Sequence, residues 1–599
     1  MRVLGLGTGA DSGAAIIEDG RILAAVNEER ICRMKLAEGF PRGSIQEVLR
    51  LSGTRIEDLS GVLVGSTEEL FVNELHAFKG WLEHWDHSVG PGGYVKKVSG
   101  KLSRYRRYFP FMETAYYAML GPSFRQRRTA IERVLKDEFE VRAPVGFVDH
   151  HFAHITSAYY TSGFEDALVV SIDGGGDRKS AMICAARNGR IERLHEVSAY
   201  NSLGNYYAYS TILCGFQAHR HEGKVTGLAA HGEPKYVPLL RQFIDEENGT
   251  FVNRGGVVFT EAIRELKRRL PADFTREDLA SSIQHHFEDA VVRLVTHWAR
   301  HTGLRNVALA GGVFANVRVN QEVHEIPGVD RIFVHPGMSD GGLSVGAALA
   351  ACVPGTLPQV MRHDPEPLEH VYLGTDLTER EIEEAMSRHG LTPEPLDGPL
   401  HEEIAELLMQ GHVVARADGP MEYGPRALGN RSILYQPADR AVNDWLNERL
   451  HRTEFMPFAP AALHEYRDQC FENVAGAAHA AEFMTVTFDC TPFAQERMPG
   501  VVHIDGTARP QLVRREKNPD YYRIIDAFRA RTGLPAVINT SFNMHEEPIV
   551  RTADDCVRAF LTGRLDYIAL GPHLIRHPEG ITHPLVAVPQ VEASAGARD

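Results

Sequence analysis

The 599-residue sequence lacks any run of 18 or more apolar residues, so we expect no membrane-spanning helix. Its start lacks the charged and apolar segments of a secretory signal, and we expect none. Positive charge is also in deficit, because 64 Lys and Arg against 79 Asp and Glu give a net charge of −15. That balance argues against a nucleic-acid binder driven by bulk positive charge.

Cysteine is sparse and scattered, with seven residues and no C-x-x-C pair. This pattern argues against a disulfide framework and against a zinc ribbon. We therefore expect a cytoplasmic protein, since single buried thiols are stable in a reducing compartment. The sequence also has no Walker P-loop, which excludes an ordinary P-loop NTPase.

Histidine is abundant, with 29 residues. On a helix, His150 and His154 of the run Asp149–His154 lie one turn apart, a spacing that suits one divalent transition metal. Asp173, after an apolar run, and Asp340, before the apolar stretch Leu343–Ala351, are candidates for two further ligands. In a histidine-rich chain this spacing also arises by chance, so the local motif leaves both interpretations open.

A strand–hairpin pattern occurs twice, about 169 residues apart. The predicted strands are Val3–Leu6, Ala14–Ile17, Ile22–Val26, Ala167–Ile172, Ser180–Ala186 and a sixth from Ile191. Both copies end in Gly-Arg-Ile after a tight turn, which indicates a duplication at domain scale. Two such hairpins facing a cleft are the phosphate-binding arrangement of the actin, sugar kinase and Hsp70 superfamily, a resemblance of fold alone.

The region between the two copies, residues 66–140, is predicted to be helical and contains a basic, aromatic stretch. Its members are Lys96, Lys97, Lys101, Arg104, Arg106, Arg107, Arg125, Arg127 and Arg128, with Tyr94, Tyr105, Tyr108, Phe109 and Phe111. This stretch could form a surface for an acceptor or a nucleic acid. The alternative is a solvated helical insertion with an aromatic side against the core.

Proline-rich residues 353–358 and 364–367 predict a linker. We expect an N-terminal domain over 1–355, a linker over 356–368, a second domain over 369–584 and a tail over 585–599.

Two loops of the first domain could contact a ligand. Gly311 and Gly312 follow a predicted strand, and Asn316 opens a helix, an arrangement that suits a nucleotide or a structural turn. Lys224 follows His219 and His221 and could meet a phosphate, or could belong to an exposed loop.

The second domain contains an arginine-rich loop over 422–432, with Arg426 and Arg431. Guanidinium groups bind phosphate oxygens bidentately, and the neighbouring glycines are expected to expose backbone donors. Arg452 lies in a further charged turn, and the predicted strand Ala536–Ile538 opens into the polar run Asn539–Asn543. Polar groups at the carboxyl end of a strand are where α/β sheets bind ligands.

Together, the runs Asp149–His154, Ala310–Asn316, Gly424–Ser432 and Asn539–Asn543 resemble the O-carbamoyltransferase family of the nodulation, cephamycin and tobramycin carbamoyltransferases. The resemblance covers almost the whole chain, with the motifs in the same order. It implies an α/β protein with an N-terminal actin-like (ASKHA) duplicated domain carrying a helical insertion. It also implies a C-terminal α/β twisted-sheet domain similar to threonylcarbamoyl-AMP synthases.

The resemblance implies a two-step reaction. The C-terminal domain makes carbamoyl adenylate from ATP, with Mg, and carbamoyl phosphate, and the N-terminal domain transfers the carbamoyl group to a hydroxyl of a small metabolite or sugar. The implied ligands of iron or another divalent ion are His150, His154, Asp173 and Asp340. The implied ATP, carbamoyl phosphate and adenylate contacts are Gly311, Gly312, Asn316, Arg426, Arg431, Arg452, Arg509, Ser541 and Asn543.

The sequence departs from the family at Ala10, where many relatives carry a histidine. We predict that His221 or His219 substitutes for it, that Asp11 orients the acceptor hydroxyl, and that Lys224 completes the catalytic set. Carbamoyl or threonylcarbamoyl transfer to tRNA and a non-catalytic actin-like nucleotide-binding protein remain as alternatives, and a homodimer is compatible with the sequence.

Overall fold

The computed structural model describes residues 1–69, 71–78, 111–362, 367–450, 457–581 and 583–590, with the side chains of 111–120 excepted. The chain folds into two compact units, Met1–Leu368 and Glu369–Asp599, and each combines helices with β-sheets. Across these described ranges, no helix has the length and apolarity that a bilayer crossing requires.

Unit 1 contains two five-stranded sheets with the same construction. Their strands are β1 (Arg2–Gly7), β2 (Gly13–Glu18), β3 (Arg21–Asn27), β5 (Leu59–Val64) and β7 (Val145–Phe147) in one sheet, and β8 (Asp166–Gly176), β9 (Lys179–Arg187), β10 (Arg190–Ser198), β13 (Asn306–Ala310) and β14 (Arg331–Val334) in the other. Two small pairs are β4 (Ala37–Glu38) with β6 (His76–Ala77), and β11 (Asp245–Glu247) with β12 (Thr250–Val252).

The two large sheets share one strand order, β3-β2-β1-β5-β7 and β10-β9-β8-β13-β14. In each, the three hairpin strands are antiparallel and the next two are parallel to the central strand. The six strands predicted from the repeated pattern are confirmed, because apolar runs separated by turn residues form buried, hydrogen-bonded strands.

The α-helices of unit 1 are Glu29–Cys32, Arg42–Ser52, Phe111–Phe139, His150–Ser162, Leu203–Leu213, Glu222–Ala229, Val237–Leu240, Phe259–Arg269, Arg276–Thr302, Val317–His324 and Leu343–Leu349. Short 3-10 turns occupy Ile56–Asp58, Ala199–Asn201, Gly312–Ala315, Asp340–Gly342 and Ala350–Cys352.

Two helices lie at the centre of unit 1. The helix His150–Ser162 follows the first sheet but packs on β8 and β13 of the second, and the helix Leu343–Leu349 follows the second sheet but packs on β1 and β2 of the first. They also pack on each other, and Thr156 Oγ1 donates to the Gly346 carbonyl at 2.7 Å. This exchange brings the N-termini of both helices to the ends of the central strands.

The predicted linker 356–368 packs as part of unit 1 where it is described. Leu357 and Met361 are buried, and the Leu368 N–H donates to the Thr161 carbonyl at 2.8 Å. Apolar residues within the proline-rich stretch explain why it adheres to the unit. Residues 363–366 lie outside the described ranges.

Unit 2 is built on one seven-stranded sheet of order β20-β17-β21-β16-β15-β22-β23. Its strands are β15 (Val414–Ala417), β16 (Arg431–Tyr435), β17 (Ala459–Leu463), β20 (Gln511–Val513), β21 (Ala536–Ser541), β22 (Tyr567–Leu570) and β23 (His573–Arg576), with a separate pair β18 (Phe488–Asp489) and β19 (Thr507–Ala508).

The α-helices of unit 2 are Glu379–Arg388, Leu400–Met409, Val442–Arg449, Arg467–Cys470, Ala478–Ala481, Pro492–Arg497, Pro519–Thr532 and Ala553–Thr562. Its 3-10 turns are His464–Tyr466, Ala475–Ala477 and Pro499–Val501. The start of the predicted tail is held down, because the Val588 N–H donates to the Met409 carbonyl at 2.8 Å, and residues 591–599 lie outside the described ranges.

Candidate functional site

Four side chains meet at the centre of unit 1. His150 and His154 lie in the first turns of the helix His150–Ser162, which Asp149 caps by accepting the Phe152 N–H at 3.0 Å. Asp173 lies near the end of β8, and Asp340 opens the turn before the helix Leu343–Leu349. One ligand atom from each residue lies within 4.8 Å of the other three.

The spacing within this four-residue cluster could accommodate a metal ion. His150 Nε2 lies 3.6 Å from Asp340 Oδ1 and 3.9 Å from Asp173 Oδ2. His154 Nε2 lies 3.3 Å from Asp173 Oδ2 and 3.8 Å from Asp340 Oδ1. Bonds of about 2.1 Å around one tetrahedral ion would place ligand atoms roughly 3.4 Å apart.

The electrostatics of the cluster favour a cation between the carboxylates. Burial alone would lower the pKa of His150, but Asp340, Asp173 and Asp177 raise it to about 10. Burial alone would raise the pKa of Asp173, but His150 and His154 hold it well below its usual range. A protonated imidazole or a divalent ion can supply the positive charge that these carboxylates require.

The residues present fit a divalent metal. Both imidazoles are buried, and none of their four ring nitrogens has a hydrogen-bond partner among the described residues. Asp173 and Asp340 remain 18% and 26% exposed, so the oxygen side of the cluster is open to a ligand. Two imidazoles and two carboxylates form a donor set that suits iron, zinc or another first-row ion.

Asp177 positions the helix that carries the two histidines. Its carboxylate accepts the His150 N–H at 2.8 Å, the Thr67 N–H at 2.8 Å and the Glu68 N–H at 2.7 Å. It also accepts the hydroxyls of Ser66 and Thr67, both at 2.9 Å. Asp177 therefore ties the tip of the β8–β9 hairpin to the end of β5 and to the first residue of the helix.

The glycine run before Asp177 makes room for the His150 ring. A Cβ on Gly176 would lie 2.3 Å from His150 Cγ, so any side chain at this position would displace the imidazole. The β8–β9 register also shifts between Ile172 and Gly176, so the strand pairing is irregular over the segment that contains Asp173.

Gly311 and Gly312 support Asp173. Gly311 has φ of +100°, and a Cβ there would lie 2.2 Å from the Ile172 carbonyl oxygen, so only glycine fits. The Gly312 N–H donates to Asp173 Oδ2 at 2.9 Å, and the Gly174 N–H donates to Asp173 Oδ1 at 2.6 Å.

Asn316 caps the helix Val317–His324 by accepting the Val319 N–H. Its side-chain amide also exchanges hydrogen bonds with Gln284 at 2.9 and 3.1 Å. Its amide is therefore engaged within the protein, and a nucleoside contact there remains a prediction.

Asp11 lies at the tip of the β1–β2 hairpin with φ of +52°. Burial, followed by the negative charges of Glu29 and Asp340, raises the pKa of Asp11 to about 8. Asn27 donates to Asp11 at 3.4 Å and to the Gly341 carbonyl at 3.3 Å. The two hairpin tips thus carry equivalent aspartates. Asp11 lies beside Gly341, the residue after Asp340, and Asp177 accepts a hydrogen bond from the His150 N–H.

Of the two histidines considered as substitutes at Ala10, His219 lies beside the four-residue cluster. A Cβ on Gly174 would lie 3.8 Å from its ring, and the charges of Asp173 and Asp340 act on it. Burial outweighs those charges and lowers the pKa of His219 to about 4, so its imidazole is neutral near pH 7.

His221 contacts other residues, because its ring accepts the Gln217 N–H at 3.3 Å and packs on Phe216. Lys224 is buried in the helix Glu222–Ala229, not placed in an exposed loop. Of these two histidines, His219 is the one that these contacts place beside the four-residue cluster, and the substitution of either for a histidine at position 10 stays a prediction.

Beside the hairpin tip, Arg127 and Glu69 form a buried ion pair that was not predicted from the sequence. Arg127 donates to Glu69 at 3.0 Å, to Thr8 Oγ1 at 2.7 Å and to the Ser66 carbonyl at 2.9 Å. Burial raises the pKa of Glu69 to about 6, against the opposing charges of Arg127 and His150.

Arg127 belongs to the basic stretch predicted as a surface, yet its side chain is 1% exposed. Arg125 and Arg128 of that stretch are exposed, while residues 94–110 lie outside the described ranges. No local pattern distinguishes Arg127 from its neighbours.

The predicted anion-binding residues of unit 2 gather at one edge of its sheet. At this edge β16 begins at Arg431 and β21 ends at Ser541, since Ser432 pairs with Ser541. Because Ala461 pairs with Gln511 and Ala459 with Asn539, β17 and β20 also begin there. Arg426 precedes β16, Arg509 precedes β20 and Asn543 follows β21, whereas Arg452 lies outside the described ranges.

Arg431, predicted as a ligand-binding arginine, has its side chain turned into the protein. Its side chain is fully buried, and its guanidinium donates to the carbonyls of Gly419 at 2.9 Å, Asn430 at 2.7 Å and Thr375 at 3.3 Å. The Arg431 Nε–H is buried and has no acceptor among the described residues, so a ligand contact of this guanidinium stays a prediction. Arg426 is partly exposed and remains a predicted ligand contact.

Comparison of the chain with family models and with related proteins gives the following matches. Residues 2–349 match the model of the carbamoyltransferase N-terminus and residues 405–577 the model of the carbamoyltransferase C-terminus. The chain is 32% identical to nodulation protein NolNO of Sinorhizobium fredii over 94% of this chain and 79% of that protein. It is 35% identical to nodulation protein NolO of Bradyrhizobium diazoefficiens, over 72% of this chain and 79% of that protein. It is 25% identical to nodulation protein U of Sinorhizobium fredii, over 96% of this chain and 99% of that protein.

Proposed function

Since the chain belongs to the carbamoyltransferase family and is a carbamoyltransferase, we propose that it transfers the carbamoyl group to a hydroxyl of a small-molecule acceptor in unit 1. The observation that carries this proposal is the four-residue cluster, whose two buried imidazoles and two carboxylates converge within 4.8 Å. Such a constellation of groups, with strongly perturbed pKa values, is typical of a reaction centre.

We propose that carbamoyl adenylate is the donor. The carbamoyl carbonyl is a poor electrophile because nitrogen donates into it, and the adenylate supplies a good leaving group. In unit 2, water would cleave carbamoyl phosphate to carbamate and phosphate, and the carbamate oxygen would then attack the α-phosphorus of ATP and release pyrophosphate. Both steps would take place at the sheet edge where Arg426, Arg509, Ser541 and Asn543 gather. Arginine forks at that edge suit phosphate oxygens.

In unit 1, His150 and His154 would hold a divalent metal, iron among the candidates, through Nε2, and Asp173 and Asp340 through carboxylate oxygens. Once bound, such an ion polarises a carbonyl or neutralises a leaving phosphate. Asp11 would orient the acceptor hydroxyl from the hairpin tip. His219, with its neutral imidazole, would receive the hydroxyl proton as the oxygen attacks the carbamoyl carbon and the bond to AMP breaks.

The same reasoning extends to architecture. We propose that unit 1 is a duplicated actin-like domain with a helical insertion, which the identical strand order of its two sheets supports. We propose the carbamoyl-transfer role for residues 1–355 and adenylate formation for 369–584.

The half-reactions can be tested separately. Pyrophosphate release from ATP and carbamoyl phosphate reports adenylate formation without any acceptor. Transfer is read by mass spectrometry, with ¹³C-carbamoyl phosphate and a panel of hydroxylated metabolites. Asp173→Asn should abolish transfer and lower the bound metal while pyrophosphate release persists. Loss of both half-reactions in a folded Asp173→Asn variant would contradict the two-site scheme.

A further inference from the structure

The loop Ala427–Arg431, whose last residue begins β16, has the N–H groups of residues 428–431 satisfied from within unit 2. The N–H groups of Leu428, Asn430 and Arg431 all donate to one oxygen of Glu422, at 2.7, 2.8 and 3.2 Å. The Gly429 N–H donates to Ser432 Oγ at 2.9 Å. These four consecutive amides therefore have internal acceptors, and the expectation that the loop's glycines expose donors to a phosphate is wrong for this part of the loop.

The carbonyls of the same loop are also engaged. Those of Ala427 and Leu428 accept from the side-chain amides of Asn539 and Gln511, at 3.2 and 2.8 Å. Those of Gly429 and Asn430 accept from the guanidinium groups of Arg416 and Arg431, both at 2.7 Å. The loop is thus held on both its donor and its acceptor side.

Glu422 is the centre of this arrangement on the donor side. It is 3% exposed, and three amides converge on its Oε1, whereas Oε2 is buried and has no hydrogen-bond partner among the described residues. A carboxylate that collects three amides fixes the curvature of the chain between them. Arg426 lies immediately before this curve and is partly exposed.

We propose that Glu422 is a positioning residue that fixes the loop Ala427–Arg431 and thereby presents Arg426 to the anionic substrate of unit 2. Ligand binding at this edge then depends on side chains, with Arg426 and Arg509 as the cations, and not on the amides of the loop. The part of the inference that concerns Arg426 rests on the proposed function, whereas the bracing of the loop by Glu422 does not.

Hydrogen exchange tests the bracing directly in the full-length protein. In Glu422→Ala, exchange of the amides of Leu428, Asn430 and Arg431 should accelerate roughly 10- to 100-fold, the range for a lost hydrogen bond to a charged group. Glu422→Gln should fall between this variant and the wild type, because its amide oxygen still accepts but carries no charge. Glu496→Ala, an exposed glutamate of the same unit, is the matched control and should leave these amides unchanged. Unchanged exchange in folded Glu422→Ala would overturn the proposal.

Kinetics test the consequence for Arg426. With ATP and carbamoyl phosphate as probes, kcat/KM for pyrophosphate release should fall about 100-fold in Glu422→Ala, as expected for a group misplaced by about 1 Å. The KM for carbamoyl phosphate should rise, and Glu422→Gln should restore part of it. A variant that merely lost stability would show less active enzyme at an unchanged KM, which would overturn the positioning role. If the wild type releases no pyrophosphate, the proposed function fails, and hydrogen exchange alone still decides the bracing.

Discussion

Removal of the Asp177 carboxylate should damage both the stability of unit 1 and the geometry of the four-residue cluster. Asp177 accepts five hydrogen bonds, three of them from backbone N–H groups that cannot rotate to other partners. A hydrogen bond to a charged group contributes about 1.5–3 kcal/mol, and such values are not additive. The two hydroxyl donors can find other acceptors, and single substitutions rarely cost more than about 5 kcal/mol. We therefore expect Asp177→Ala to lower the free energy of unfolding by about 3–5 kcal/mol.

Asp177→Asn removes the negative charge of the side chain and keeps nearly the same size and shape. Asparagine offers one acceptor oxygen in place of two and turns an NH₂ group toward backbone donors, so part of the set is lost. We expect Asp177→Asn to lower the free energy of unfolding by about 1–3 kcal/mol, because a buried donor without an acceptor destabilises the protein by about that amount. Because one of the five bonds fixes the His150 backbone, metal affinity should fall about tenfold in Asp177→Ala, the lower limit for lost outer-sphere contacts.

The assay is urea unfolding followed by hydrogen exchange of peptides from unit 1, together with metal affinity measured by competition with a chelator. Asp273→Ala, at an exposed carboxylate of the same unit, is the control and should change neither quantity. If Asp177→Ala loses less than about 1 kcal/mol, below the penalty for a single unsatisfied donor, the reasoning about its buried donors is refuted. A normal metal affinity in a destabilised protein would refute only its connection to His150.

Three further predictions concern single residues. Gly311→Ala should lower the free energy of unfolding by more than about 3 kcal/mol in a thermal unfolding assay, because it adds a clash with a carbonyl to the strain of a positive φ. Gly303 has φ of +72° and open space around it, so Gly303→Ala should lower that free energy by only about 1 kcal/mol in the same assay. Burial would raise the pKa of Asp566, but His412 and His583 hold it well below its usual range. Asp566→Asn should therefore lower the unfolding free energy of unit 2 by about 3–5 kcal/mol near pH 7. That difference should shrink as the pH falls from about 4 through the depressed folded value, and a difference independent of pH in urea titrations would contradict it. Arg431→Lys should lower the unfolding free energy by about 2–3 kcal/mol, since an ammonium group cannot reach three carbonyls, while a purely ligand-binding role predicts unchanged stability without substrate.

The hairpins of unit 1 could be predicted from sequence because local rules determine them. Apolar runs such as Ala167–Ile172, bounded by turn residues, have few alternatives to a strand, and Asp19-Gly20 selects a tight turn. The repeat of this pattern also predicted that the two hairpins would be alike, and the sheets show the same strand order. Each hairpin was predicted from residues fewer than 30 positions apart, and the repeat was recognised by comparing two such local patterns about 169 residues apart.

The four-residue cluster was only partly accessible in this way. The helical spacing of His150 and His154 is local, but Asp340 lies 186 residues after His154 and meets it only because two helices exchange places between the sheets. Asp173 and Asp340 were assigned with the help of family resemblance. Glu69 and Arg127, which are 58 residues apart, had neither a local motif nor a family motif to reveal them.

Arg426 and Arg431 show most clearly where residue type stops being informative. Both belong to one glycine-rich run, and a guanidinium group satisfies a phosphate and a set of backbone carbonyls equally well. The difference arises from the chain between them, where Glu422 collects three amides and bends the loop so that Arg431 enters the protein interior and Arg426 remains at its edge. Once buried, Arg431 needs acceptors, and three carbonyls provide them. Its buried position therefore depends on three-dimensional neighbours such as Thr375 and Gly419, which no spacing in the motif specifies.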